Sequence, residues 1–432
     1  MKTPWVPGNM LRWTASGVLA AAVSMISSVA NGQRVDVWDL PPLRYSDSMS
    51  TDKLAVLAGR LSDGSLSNPG AGALEKLRFV LKELQVPESS QILVFSKTSA
   101  QSRLIHPANP RCLFFSKDAY VGYVPGGAIE VFLIVHDSHL GPVFYQIDPG
   151  GEQGMAFERD TNHCMSCHGT ARTEGVPGVF IRSVFPDVDG RPLLQLGSVT
   201  VTHETPIQER WGGYYVTGTS SLPHLGNRVF EDVGEAEPRS GILGDPRGRI
   251  NAGKYLHVTS DVVALAVLEH QCAVHNLITS ASVHYRRARF LAEALDPDSD
   301  PDSGQAGRIA DDAAEKLVDV LLFKDEADLG DGLEGLAGFQ QDYAAQFPKT
   351  SSGDSLADFR LYRRIFRNRC SCMIYSAAFR DLPRRVRSAV LTRLRIALSD
   401  SDREIAPHLK LSEKRRIRTI LSETLPEWTV GR

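Results

Sequence analysis

Ser260-Asp-Val-Val-Ala-Leu-Ala-Val-Leu-Glu-His-Gln-Cys-Ala-Val-His-Asn-Leu-Ile-Thr-Ser-Ala-Ser-Val-His-Tyr-Arg-Arg-Ala-Arg-Phe-Leu-Ala-Glu-Ala-Leu295 is the longest stretch of the chain without glycine or proline. Its composition predicts one long helix, with Ser260 as N-cap. The acidic run Asp296-Pro-Asp-Ser-Asp-Pro-Asp-Ser-Gly304 breaks it. Beyond that break the apolar spacing predicts helices over 309–323, 356–379, 384–398 and 412–421. Upstream the pattern differs. One helix is predicted at 71–84, ended by Pro87. Short apolar runs follow at 92–95, 112–115, 120–124, 128–135 and 143–147, joined by turn signals such as Pro125-Gly126-Gly127. Short strands on tight turns imply an antiparallel meander. The expected class is therefore α+β: a β-rich region over 31–150, a loop-rich segment over 151–258, and a helical region over 259–432 with an acidic linker at 296–307. An EF-hand loop starting at Asp296 would need glycine at its sixth position and an acid at its twelfth. Pro301 and Gly307 stand there, so the run reads as a solvated linker.

The chain has 432 residues, 42% hydrophobic and 23% charged. That balance excludes a wholly disordered chain, a collagen and a multi-span membrane protein. The net charge of −3 conceals a basic tail: residues 356–432 carry +10 and the rest −13. Lys2 and Arg12 precede an uncharged run, Trp13 to Ala30, with small residues at Ser28 and Ala30. This is the layout of a cleaved secretory signal over 1–30, shorter than the roughly 20 apolar residues of a spanning helix. No later segment reads as a membrane anchor. The expected location is the periplasm or the cell exterior, where a nucleic-acid partner has no place.

Cys164-Met165-Ser166-Cys167-His168 is C-x-x-C-H, the attachment signature of c-type haem. Two thiols two residues apart can add to the two vinyl groups on one macrocycle edge. The following imidazole then serves as proximal iron ligand. One motif implies one covalent haem. Three rivals share the residues: a thiol–disulfide oxidoreductase, a zinc site completed by Cys370 and Cys372, and a plain disulfide. The polar residues 159–163 before the motif do not read as the strand that a thiol oxidoreductase places there.

The second axial position of the iron separates electron carriers from haem enzymes and sensors. On the long helix, Val263, His270, Leu277, Ala281 and His284 share one face at 100° per residue. His270 is thus the candidate second metal ligand. His275 lies about 140° away, with Gln271, Cys272 and Thr279. Met155, Met373 and His224 are alternatives. Arg182 and Arg210, with Trp211 nearby, are candidates to meet the haem propionates. Cys112, Cys272, Cys370 and Cys372 could form one or two disulfides, of unknown connectivity. The basic tail reads as packing against the acidic body, with docking of an acidic redox partner as the alternative.

Several stretches together carry a resemblance that spans most of the mature chain. They are Ala119-Tyr-Val-Gly-Tyr-Val-Pro-Gly-Gly127, His163-Cys-Met-Ser-Cys-His-Gly169, Glu209-Arg-Trp-Gly-Gly-Tyr-Tyr-Val-Thr-Gly218, 260–271, His275-Asn276 and 366–382. On them the chain resembles a group of uncharacterised, secreted, single-haem c-type-cytochrome-like bacterial proteins. The resemblance implies one fused unit with one haem and supplies no substrate. Cys372 stands where such proteins more usually have an aromatic residue, which argues against a conserved Cys370–Cys372 pair. The expected activity is single-electron transfer with a redox partner protein or a small-molecule donor or acceptor. A haem enzyme acting on peroxide or a small organic molecule, and a haem sensor, are the alternatives.

Overall fold

The computed structural model describes residues 36–429 except 71, 128, 132–136, 149–154, 232–238, 299 and 337. The expected signal segment lies outside the described residues. From Val37 onward the chain forms one compact unit. It is an α+β fold, with strands mainly in the N-terminal half and helices in the C-terminal half.

Two helices come first, α1 (Lys53–Ser62) and α2 (Ala73–Glu83). The sequence reading missed α1, although Asp52 caps it by accepting from the Leu54 and Ala55 amides. Strands β1 (Ile92–Val94), β2 (Arg111–Phe115) and β3 (Tyr120–Tyr123) form an antiparallel sheet. Strand periodicity explains why these segments are apolar throughout. Ile92, Val94, Phe115 and Tyr120 join one hydrophobic core, while Leu93, Phe95, Cys112, Phe114 and Val121 join another. The sheet divides two cores and is buried on both faces.

Strands β4 (Ile129–Val131), β5 (Phe144–Asp148) and β6 (Ala156–Asp160) make a second antiparallel sheet. The single-turn helix α3 (Met165–His168) follows β6. Two hairpins come next, β7 (Ile181–Val184) with β8 (Ser198–Val201), and β10 (Arg228–Glu231) with β11 (Arg239–Ile242). Between the hairpins lies β9 (Thr219–Ser220), which pairs with the distant β12 (Leu333–Glu334).

The long helix α4 spans Val262–Leu295, as its sequence implies. Its cap is Asp261, one residue later than expected. Asp261 Oδ1 accepts from the Val263 and Ala264 amides at 2.8 and 3.0 Å, and Oδ2 from the Leu336 amide at 2.6 Å. Ser260 is used elsewhere: its hydroxyl accepts from the Leu93 amide and ties α4 to β1. By length and composition α4 could cross a membrane, contrary to the sequence reading. However, 89% of its most apolar window is buried inside the protein, which makes it the core helix.

Helix α5 (Gln305–Leu321) packs back on α4 across the acidic linker, where the Tyr285 hydroxyl donates to Asp302. Then come α6 (Phe339–Ala344), α7 (Ala377–Arg380), α8 (Arg384–Ala397), α9 (Leu411–Thr424) and α10 (Pro426–Thr429). The helix expected over 356–379 does not form. Leu361 and Arg363 adopt left-handed backbone at φ 58° and 62°, and a Phe359–Phe366 bridge closes a loop. Leu356, Ile365, Phe366 and Met373 still reach the core from this irregular ribbon, so tertiary packing overrides the helical spacing. The basic tail pairs inward. Arg385 and Arg393 meet Asp311 and Glu315 of α5, and Arg364 and Arg369 meet Glu413.

Replacing Asp261 with Ala removes the acceptor for three backbone amides. The expected loss is about 1–2 kcal/mol, the range of a lost N-cap. Urea unfolding followed by circular dichroism reads it; an unchanged midpoint would contradict the assigned cap.

Candidate functional site

Strand β6 leads into the C-x-x-C-H motif through an Asp160 turn, in which Asp160 Oδ1 accepts from the Asn162 and Cys164 amides. The expectation that no strand precedes the motif is therefore wrong. Two polar side chains of β6 have partners: Arg159 donates to the Tyr45 and Ser48 carbonyls, and Asp160 accepts from Gln146 Nε2 and the backbone amides just named. The motif thus follows a strand and opens a helix, the layout of thiol oxidoreductases. Helix α3 is only one turn long, however, so it offers little of the N-terminal dipole that activates such thiols.

Past the motif, residues 168–178 form a loop closed on itself. The Gly178 amide donates to the His168 carbonyl at 2.9 Å. His168 Nδ1 lies 2.8 Å from the Gly178 carbonyl oxygen. A carbonyl can only accept, so Nδ1 carries a proton, and in the neutral ring Nε2 is the nitrogen that holds the lone pair. Phe144 and Phe180 flank the ring at centroid distances of 5.3 and 5.4 Å. Gly178 must be glycine: a Cβ there would stand 2.3 Å from Asn276 Oδ1.

Cys164, Cys167 and His168 line one cavity of about 460 Å³. That size falls within the roughly 300–1,000 Å³ of cofactor sites. Leu113, Phe114, Val179, Phe180, Ile181 and Leu268 give it apolar walls. Arg172 and Arg182 also line it, and neither has an ion-pair partner among the described residues. Arg172 lies over the Phe180 ring, and the buried Arg182 Nε has no hydrogen-bond partner. Burial and the neighbouring Arg172 charge lower the Arg182 pKa. Arg182 Nη2 donates to the Ser198 hydroxyl at 3.0 Å. An apolar slot with two thiols, one oriented imidazole and two guanidiniums that form no ion pair among the described residues suits a flat apolar macrocycle bearing carboxylates. The residues present fit a haem. A second, more open cavity of about 760 Å³ shares Arg172, Val179, Phe180 and Cys272 with the first.

Other candidates lie elsewhere. His270 does not line the cavity. Its Nε2 is 2.7 Å from the Ser371 hydroxyl, and Nδ1 is 3.4 Å from His203 Nδ1. The ring stacks on Phe323 at 3.9 Å. His270 is a satisfied core histidine, and its assignment as a metal ligand is withdrawn. Arg210 and Trp211 are also spoken for. Both donate to Glu269 at 2.7 Å, with Arg210 and Glu269 almost wholly buried. Burial pushes the Glu269 carboxyl up to about 7, against the pull of Arg210. His224 packs on Trp211, and Met155 and Met373 lie in the two cores. Of the propionate candidates, Arg182 alone lines the cavity.

It is the other stripe of α4 that faces the cavity side. Cys272 lines the cavity, and so does Tyr120 of β3. The Tyr120 hydroxyl lies 2.6 Å from His275 Nδ1 and accepts from Gln271 Nε2 at 2.8 Å. Sequence periodicity put Gln271, Cys272 and His275 on one face. It could not tell which face met the site, because α4 is buried on nearly every side.

None of the six cysteines is in a disulfide, so Cys112, Cys272, Cys370 and Cys372, which could have formed one or two, stand as thiols. Cys370 and Cys372 belong to the helical core, away from the cavity lining. Among the described residues no group of three His, Cys, Asp or Glu is arranged to hold a metal ion, which leaves the zinc reading without a ligand set.

Burial lowers the pKa of His203 to about 4, and burial together with the neighbouring His203 holds that of His270 well below the ordinary histidine value. Unfolded imidazoles take up protons below about pH 6.5; the folded ones do not. Stability is therefore full above that pH and falls as pH drops towards 4, by up to about 1.4 kcal/mol per pH unit for each histidine. Urea unfolding at pH 7 and pH 5 measures this. A His270→Gln variant is expected to show a shallower acid loss; identical pH profiles would contradict the assignment.

No protein family matches this chain, and neither a characterised protein nor a solved structure is significantly similar to it.

Proposed function

We propose that the chain is an exported c-type haem protein that transfers single electrons. Cys164 and Cys167 would hold one haem through thioethers, formed by adding each S–H across a vinyl group, and His168 Nε2 would bind the iron. Haem supplies a one-electron iron couple. The single observation that carries the reading is the His168 Nδ1–Gly178 carbonyl hydrogen bond of 2.8 Å, on a wall shared with both cysteines. It orients an imidazole for metal binding and strengthens it as a donor. Arg172 and Arg182 would meet the propionates, and the apolar walls would exclude water and hold the local dielectric low. The secretory pattern of residues 1–30 agrees with a haem attached after export. A redox protein or a small-molecule donor or acceptor would be the electron partner.

One observation favours the haem enzyme or sensor as second reading. Among the described residues that line the cavity, the only imidazole besides His168 is His163, which adjoins the motif, and no methionine is present. Tyr120 and Cys272 line the cavity instead. A wall without a strong neutral ligand suits binding of a small molecule.

The test is expression in cells competent for c-type haem maturation, then a pyridine haemochrome assay after acid-acetone extraction. One extraction-resistant haem per chain is expected, reduced in Cys164→Ser and Cys167→Ser and lost in the double variant. A haem-free wild-type chain would overturn the proposal. In the loaded protein, a low-spin spectrum indifferent to carbon monoxide would mark a carrier. A high-spin spectrum that shifts with carbon monoxide would mark the second reading.

A further inference from the structure

We infer that Asn276 is a positioning residue for His168, acting through the Gly178–Val179 backbone. The inference rests on the haem reading for its redox consequence, but not for its geometry. Asn276 lies in the middle of α4 and is 6% exposed. Its side-chain amide grips one residue at both ends. Oδ1 accepts from the Val179 amide at 2.9 Å, and Nδ2 donates to the Val179 carbonyl at 2.6 Å. This two-point pairing fixes the peptide plane that begins with the Gly178 carbonyl. That carbonyl is the acceptor for His168 Nδ1.

The contact also leaves no slack. The Cβ position of Gly178 stands 2.3 Å from Asn276 Oδ1 and 2.9 Å from Thr173 Cβ. The Thr173 hydroxyl in turn lies 2.8 Å from the Val176 carbonyl and 3.1 Å from those of His168 and Thr170, which share its one proton. The loop that orients His168 is therefore clamped from the core helix on one side and from its own hydroxyl on the other. Within the loop, a carbonyl alone could swing by rotation of its peptide plane. With Asn276 holding the next peptide, it cannot.

The consequence is electronic. A carbonyl that accepts strongly from Nδ1–H makes the imidazole a better donor at Nε2 and favours the more charged, oxidised metal. Loosening the carbonyl weakens that bias. Asn276 thus helps to set the reduction potential from a distance, without touching the cavity that His168 lines. His275, the preceding residue, holds Tyr120 on the same cavity. Two consecutive positions of α4 therefore govern two separate groups of the site.

Three variants test this. Asn276→Leu removes both hydrogen bonds; Asn276→Asp keeps the acceptor for the Val179 amide and loses the donor. Thr279→Val is the control, since among the described residues this buried hydroxyl on the same helix bonds only to the His275 carbonyl. Spectroelectrochemical titration of the loaded proteins is expected to show a positive shift in potential in Asn276→Leu and none in Thr279→Val; Asn276→Asp, whose carboxylate would itself favour the oxidised iron, is read by the His168 tautomer. Asn276→Asp keeps the inference open to refutation if Asn276→Leu does not fold. Nitrogen NMR of His168 in the haem-free chain, with both motif cysteines changed to alanine, is expected to show the proton on Nδ1. In the Asn276 variants the two tautomers should mix. An unchanged potential in Asn276→Leu, or an unchanged tautomer, would overturn the inference. A wild-type chain that takes up no haem would overturn the haem reading, and the tautomer measurement would still decide the role of Asn276.

Discussion

A long helix buried on nearly all sides must find a partner for every polar side chain it carries. Helix α4 carries five in one run, at Glu269, His270, Gln271, His275 and Asn276, each at most 6% exposed. Leaving such groups unpaired costs on the order of 1–3 kcal/mol apiece, and more for the charged one. Their partners all lie on other segments of the chain. Glu269 takes Arg210 and Trp211; His270 meets Ser371 and His203. Gln271 and His275 reach Tyr120, and Asn276 holds Val179. The loop-rich middle of the chain has little regular structure of its own. It is ordered because the helix needs its donors and acceptors.

That arrangement also explains where the cavity sits. The sheet of β1–β3 separates two cores, and α4 lies along one of them. The β6–α3 connection lays the two cysteines against the space between the sheet, α4 and the 168–178 loop. The walls are apolar because they are faces of the two cores. The cations are Arg172 and Arg182, which the surrounding acids do not reach. The protein thus supplies an oriented imidazole, two thiols and unpaired positive charge around an apolar space.

Much of this was legible beforehand. Strands β1–β5, the long helix and the α+β division follow from apolar spacing and turn residues, and the motif at 164–168 announces itself, whereas the short strands β6–β12 lie in stretches that read as loop or helix. Other features were not legible, for identifiable reasons. His270 sits among apolar neighbours on its helix face and looked like a ligand, yet α4 is buried on nearly every side around it, so periodicity could not show which stripe adjoins the cavity. The helix expected at 356–379 has the right apolar spacing, but two left-handed residues and a long-range bridge turn it into a ribbon. Strand β6 was hidden because its Arg159 is satisfied by the carbonyls of Tyr45 and Ser48, which lie far away in sequence. Asn276 gave no signal on its own: its role exists only once Gly178 is folded against it.

The central claim is that Cys164 and Cys167 carry a covalent group that His168 faces. Mass spectrometry of the peptide spanning 164–168, from the mature protein made in maturation-competent cells, tests it most directly. The account expects that peptide to bear one added haem on both cysteines. An unmodified peptide with two free thiols, or with the two joined as a disulfide, would contradict it.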